Sequence, residues 1–369
     1  MIGRWPAVEC RAGLSGPPTN RGPERPALHT SHEPRATSPR ALSTVHRPLL
    51  VLAALLLFAP TRPALAQDTH LLVITGVGGD EEHTTQFHQW ATTIIDAAKE
   101  RGGLADPTIT YLGDKPDLAP GRIAARSTRE NVQKTFADLA TKAQPADEVF
   151  IVLIGHGSFD GRVAAFNLPG PDLTAEDYAR LLAKLTAQRI VFVNTSSSSG
   201  GFLAPLAGPG RTIVTATKTG GERNETRFAP FFAEAFKDNA ADTDRNGRVS
   251  VSEAFEYAKT KVAATYTKGG HILTEHATID DGREGKFAST LFLESEKAKA
   301  AATARVADPE LRALLDAQRA LENQVTALRL RKESMDPAEY ERESEKLLTE
   351  LALKTRAIRE RTSQTGNQK

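Results

Sequence analysis

His156 stands between two glycines, Gly155 and Gly157, immediately after the continuous apolar run 148–154 (EVFIVLI). A second apolar run, 190–193, leads into Asn194-Thr195-Ser196-Ser197-Ser198-Ser199-Gly200-Gly201. If both runs are strands of one open α/β sheet, their carboxyl ends border the crevice where such sheets bind ligands. There an imidazole on a tight glycine turn serves either as a general base or as a turn residue satisfied by a carbonyl. The serine run is either a ligand loop or a flexible turn.

Residues 242–253 (DTDRNGRVSVSE) carry a second pattern. Oxygen donors stand at positions one (Asp242), three (Asp244), five (Asn246), nine (Ser250) and twelve (Glu253), Arg248 offers a backbone carbonyl at seven, and Gly247 permits the turn at six. Hard oxygen ligands at this spacing fit an EF-hand loop and imply Ca2+ as a structural ion. Two features weigh the other way: the positive Arg248 side chain, and the absence of a second loop with which to pair. The competing reading is a polar connector whose Asp242 or Ser250 caps a helix. Asp80, Glu81, Glu82 and His83 follow the first apolar run and read as a solvated loop at the same crevice. His271 and His276 have no metal-ligand spacing.

The elements that must position these residues follow from periodicity. Residues 70–76 read as a strand and 84–101 as a helix, and 108–112 as a second strand. A Ser127 or Thr128 cap starts a helix with Val132, Phe136 and Leu139 on one face. Thr174 and Asp177 stand at capping-box spacing before a helix over 174–186; 189–194 and 211–216 are further strands, 227–238 and 252–261 further helices, and 290–293 the last strand. This alternation predicts a mostly parallel sheet with helices on both faces. Beyond about residue 295 the composition turns to Ala, Glu, Lys, Arg and Leu. Asp308-Pro309 and Asp336-Pro337 then mark two helix starts. Leu311, Leu314, Leu321, Val325 and Leu328 form one seam, and Leu347, Leu351 and Ile358 another, which predicts a helical hairpin or coiled coil, with a partly folded solvated tail as the alternative.

Taken together, the opening VITGVGG, the STRENVQKTFADLA helix ahead of ADEVFIVLIGHG, and RTIVTATKTGGERN after the serine run resemble the caspase, legumain and gingipain superfamily of cysteine proteases over about 69–293. The resemblance implies a three-layer α/β caspase-like fold, into which the 242–253 spacing places an EF-hand-like insertion and after which the C-terminal helical hairpin follows. It maps His156 onto the catalytic histidine and Ser197 onto the nucleophilic cysteine of a Cys-x-Ser-Gly run, or Ser196 if the register slips by one. Gly157, Ser199 and Gly200 are then expected to contact substrate. A serine where a thiolate belongs removes cysteine-protease chemistry, because a hydroxyl needs an oriented base and an oxyanion hole to attack at all. The expected function is a non-catalytic homologue that binds a peptide or protein partner. The alternatives are an active Ser/His peptidase or esterase using Ser197 and His156, and a calcium-stabilised structural adaptor whose C-terminal helices mediate assembly.

Composition bounds the rest. With 40% hydrophobic and 25% charged residues, 369 residues suffice for one large globular domain and an appendage. Of 47 basic and 46 acidic residues, eight arginines and three glutamates fall in the first 66, which leaves 39 and 43 and a net charge of −4. No basic footprint for nucleic acid remains. The apolar run 49–59, preceded by Arg40, His46 and Arg47 and followed by Ala64-Leu65-Ala66, fits a signal peptide cleaved before Gln67 and is too short to span a bilayer. Residues 1–66 are therefore expected as leader and signal peptide, 67–295 as the domain and 296–369 as the helical tail. The destination is the periplasm or the cell exterior. The single cysteine, Cys10, would leave with the leader, so the mature chain has no thiol for disulfides, zinc or nucleophilic attack.

Overall fold

Leu71, Leu72, Val73 and Ile74 are each at most 1% exposed. A run buried on both faces needs neighbours on both sides, and it forms β1 (Thr69–Thr75) inside a parallel sheet. The structure is a computed structural model that describes residues 67–187, 189–237, 239–282 and 287–366. The expected leader, its cleavage signal and Cys10 lie outside the described residues.

After β1, Asp80 caps α1 (Glu81–Glu100) by accepting from the His83 amide. Strands β2 (Ile109–Gly113) and β3 (Ala125–Arg126) follow, then α2 (Arg129–Lys142), whose N-cap is Thr128. Strand β4 (Glu148–Ile154) is buried along its whole length. Three short strands, β5 (Gly157–Phe159), β6 (Ala164–Phe166) and β7 (Leu173–Thr174), make a separate antiparallel sheet that sequence periodicity does not reveal. Helix α3 (Ala175–Leu182) opens on a complete capping box between Thr174 and Asp177. Then come β8 (Arg189–Asn194), the single turn α4 (Leu203–Leu206), β9 (Arg211–Thr215), α5 (Phe228–Lys237), α6 (Val251–Gly269) and β10 (Thr278–Asp280). Helix α7 (Glu296–Ala304) precedes the hairpin of α8 (Pro309–Arg331) and α9 (Pro337–Gly366).

The main sheet has the order β10-β9-β8-β4-β1-β2-β3, parallel except for β10, which runs antiparallel to β9. Alternate residues of each strand face opposite layers. Leu71, Val73, Phe150, Val152, Val191 and Val193 pack under α1, α5 and α6 against Phe87, Ile94, Phe232 and Phe255. Leu72, Ile74, Ile151, Leu153 and Phe192 pack under α2 and α3 against Phe136, Tyr178 and Leu182. The result is a mixed α/β fold of three layers with a mostly parallel central sheet, consistent with a caspase-like fold.

One expected strand is corrected. Residues 290–293 do not form one: Ala288–Thr290 is a 3-10 turn, and only Phe292 makes an isolated bridge, to Ser250. Leu291 and Leu293 are drawn into the core beside α6, which takes the backbone away from the sheet edge. The edge belongs to Thr278–Asp280, polar and half-buried, as an antiparallel edge strand can be. Helix α6 also runs past Lys261 to an αL cap at Gly270.

Candidate functional site

Strands β4 and β8 pair in parallel with Leu153 opposite Asn194. His156 and Ser197 each lie three residues beyond that pair, so the register alone brings the two turns together at one end of the sheet. The turns touch through their backbones. A Cβ added at Gly157 would stand 2.1 Å from the Ser197 carbonyl oxygen, so only glycine fits there. The Ser197 Oγ donates to the Gly157 carbonyl at 3.0 Å and lies 3.3 Å from the Gly157 amide, which donates back to it.

His156 and Ser197 line one narrow crevice, walled by Phe87, Trp90, Thr195, Glu225 and Thr226. The His156 Nε2 meets the Gly78 carbonyl at 3.3 Å. A carbonyl only accepts, so this contact places the ring proton on Nε2 and leaves Nδ1 as the basic position. Phe87 and His83 hold the ring edgewise, with centroids 5.1 and 4.9 Å away. His83 in turn sits between two carboxylates, with Nδ1 2.6 Å from Asp80 and Nε2 3.3 Å from Glu225. The hydrogen bond to Asp80 raises the His83 pKa above the ordinary value, against a smaller opposing cost of burial. His83 thus packs against the His156 ring and bridges to the exposed Glu225 of the crevice wall.

The remaining serines divide by role. Ser196 is fully buried and turned inward, its Oγ donating to the Asn194 side chain at 2.7 Å. That leaves Ser197, and not Ser196, on the crevice. Ser198 adopts φ 59, a left-handed conformation that costs a non-glycine residue on the order of 1 kcal/mol, and buries its Oγ without a partner among the described residues. Ser199 and Gly200, expected to contact substrate, face the next loop: Thr217 Oγ1 lies 3.2 Å from the Ser199 Oγ and accepts from the Gly200 amide at 2.8 Å. Neither lines the crevice, because both are spent anchoring the turn. Gly157 is close-packed beneath Ser197.

Sequence reasoning missed the strap that holds the serine turn from outside. The Glu222 carbonyl accepts from the Ser198 amide at 2.8 Å, Thr226 Oγ1 donates to the Thr195 carbonyl, and the Glu222 carboxylate grips the His276 ring at 2.9 Å. The only signal was position: 217–227 follows β9, the next strand whose carboxyl end borders the crevice. Asp80, Glu81, Glu82 and His83, read from the sequence as a solvated loop, are instead the cap and first turn of α1, because Asp80 accepts from the His83 amide and starts the helix there. His271 joins no such cluster.

Residues 128–280 match the family model of Peptidase C13. The match supports a legumain-like peptidase domain. It begins at the α2 cap and ends with β10, so it contains His156, Ser197 and the 242–253 loop; β1 and the C-terminal helices fall outside it. No curated protein matches the chain.

Within the matched segment, the 242–253 loop draws carboxyl oxygens of Asp242, Asp244 and Glu253 within 4.8 Å of one another. Arg245 and Gly247 take left-handed φ values of 56 and 84, which fold the loop around its acidic side chains. The Asp242 carboxylate accepts from the Asn246 and Gly247 amides at 3.0 and 2.8 Å, and Asn246 Oδ1 accepts from the Arg248 amide. Ser250 caps α6 and forms a capping box with Glu253. The Arg248 side chain points away from these carboxylates, stacking 3.7 Å over the Phe292 ring and pairing with Glu294 at 2.6 Å. Only its backbone is left for the loop. The donor set, all hard oxygen, fits Ca2+.

Proposed function

We propose that this is an exported Peptidase C13-type domain that has lost thiol chemistry and binds a peptide or protein partner at the His156–Ser197 crevice. The observation that carries the reading is the hydroxyl at 197: it donates to the Gly157 carbonyl, and no hydrogen bond joins it to His156. A serine without a base on its proton is a poor nucleophile. What the crevice retains suits recognition: aromatic walls at Phe87 and Trp90, and the Glu225 carboxylate, which His83 contacts at 3.3 Å.

The second reading, a Ser/His peptidase or esterase, is favoured by one specific observation. Ser197 and His156 share the crevice with the imidazole Nδ1 unclaimed by Gly78, and the Gly157 amide beside Ser197 can serve an oxyanion. A fluorophosphonate probe on the purified protein separates the two. No labelling supports the binding domain; labelling that disappears in both Ser197→Ala and His156→Ala establishes a serine enzyme and overturns it.

In the same proposal the 242–253 loop holds Ca2+ as a structural ion through Asp242, Asp244, Asn246, Ser250, Glu253 and the Arg248 carbonyl. A support is that the loop finds in its own chain the β-bridge that a second EF-hand would supply, Ser250 to Phe292, with the Val251 amide on the Leu291 carbonyl at 2.9 Å. A purely structural calcium-stabilised adaptor, assembling through α8 and α9, is the remaining reading. It would leave partner binding unchanged when the crevice is altered and lose assembly when the helices are deleted. Among the described residues no helix is long and apolar enough to cross a membrane. Export predicts a protein whose N-terminal sequence, once secreted, begins at Gln67.

A further inference from the structure

A cavity of about 540 Å³ lies between the 242–253 loop and the α8–α9 hairpin, and it shares no lining residue with the His156 crevice. Its size falls in the range of small-molecule sites. Phe292, Val325, Leu348 and Leu351 give it an apolar wall, and Leu348 is 46% exposed although it is a large apolar side chain. Five arginines line the cavity against two carboxylates, Asp244 and Glu322.

The arginines are not equivalent. Arg248 is saturated by Glu294, Glu296 and Glu322, at 2.6, 3.3 and 3.7 Å. Arg329 is held by Asp244 at 2.9 Å, and Arg356 by Glu360 at 2.8 Å. Among the described residues Arg245 and Arg359 have no carboxylate partner, yet they come from separate elements, the loop and α9, to the same cavity. Two uncompensated guanidinium groups beside an apolar wall complement a ligand of the opposite design. Such a ligand has one planar anionic group, which guanidinium recognises with paired hydrogen bonds, and an alkyl body.

We propose that this cavity binds a small amphipathic anion, a monomeric alkyl carboxylate, with its headgroup at Arg245 and Arg359 and its chain against Phe292, Val325, Leu348 and Leu351. The cavity is half open, and its volume takes a single chain and not the surface of a bilayer, so the source is a free carboxylate and not an anionic membrane. The site shares no residue with the crevice and stands if that reading fails; Asp244, which holds Arg329, is also a proposed calcium ligand, so the test is run in chelator to keep the two sites apart.

Titration calorimetry of the full chain with decanoate, below its micelle concentration and in chelator, tests the assignment. The expected result is one saturable site per chain. Decan-1-ol and decyltrimethylammonium should bind at least about tenfold more weakly, the size of losing a hydrogen bond to a charged group. The double variant Arg245→Ala/Arg359→Ala should lose a similar factor; both side chains are exposed, so the hairpin keeps its helical circular dichroism. Leu348→Asp should weaken decanoate in the same assay. Absence of saturable binding overturns the proposal, as does equal affinity for the alcohol or a double variant that binds like the parent. Binding to phosphatidylglycerol vesicles without binding of monomeric decanoate also overturns it.

Discussion

At the residue scale the decisive comparison is between Ser196 and Ser197, which the sequence left open by one register step. Nothing in a run of four serines distinguishes them. The difference arises from the backbone turn at Ser198 and from Asn194, whose side chain takes the Ser196 hydroxyl into the core. Ser197 is then the group that faces the imidazole's crevice, and replacing its oxygen by sulfur is a direct test of whether the surroundings still suit a thiolate. In Ser197→Cys the protein from Gln67 onward carries a single cysteine, and an unstructured cysteine peptide serves as the standard for an ordinary thiol. If the His156 side and the Gly157 amide still favour the anion, position 197 should be alkylated by iodoacetamide at neutral pH several-fold faster than the peptide thiol, and His156→Ala should abolish the excess. Equal rates for the protein and the peptide, measured by mass spectrometry, would show that the histidine does not activate this position.

At the element scale the strands buried on both faces were legible because such strands require unbroken apolar runs: β4 and β8 fall on the expected residues, and β1 and β9 within one residue of them. Helix starts were legible where a cap side chain is obligatory, as at Thr128, Thr174 and Asp308. The β5–β7 sheet was not, since Gly157-Ser158-Phe159 and Leu173-Thr174 are too short to show a period of two. Nor was β10, whose pairing depends on where β9 ends. The 242–253 loop brings the carboxylates of Asp242, Asp244 and Glu253 together, and the calcium proposed for it supports a sharp prediction. Glu253→Gln keeps a capping-box residue on α6 but removes the bidentate charge from the loop. Calcium should raise the melting temperature of the parent protein above its value in chelator and leave that of Glu253→Gln nearly unchanged. A parent melt indifferent to calcium would remove the ion from the reading of this loop.

At the scale of the whole molecule, one buried carboxylate ties the crevice to the global stability. Glu275 is 2% exposed and accepts from the Arg227 amide with both oxygens, at 2.8 and 3.0 Å. It thereby fixes the start of α5 directly behind Glu225 and Thr226 of the crevice. Burial pushes its pKa up to about 7 from 4.5, outweighing the hydrogen bond from Arg227 that lowers it. The sign follows from proton counting. Below the unfolded value both states hold the proton; between about 4.5 and 7 the unfolded chain loses it first, so stability declines as pH rises and levels off once the native group also ionises. A tenfold difference in proton affinity between the two states is equivalent to about 1.4 kcal/mol, so the loss on crossing that window is on the order of 3 kcal/mol. Glu275→Gln keeps a carbonyl for the Arg227 amide and cannot ionise, so its unfolding free energy should fall less between pH 4 and pH 8 than the parent's, by about 3 kcal/mol. His83, whose raised pKa also makes its contribution fade as pH climbs, titrates identically in both proteins and cancels from the difference. Urea denaturation at the two pH values reads the quantity directly, and equal declines in parent and variant would mean that Glu275 is ionised in the native state throughout.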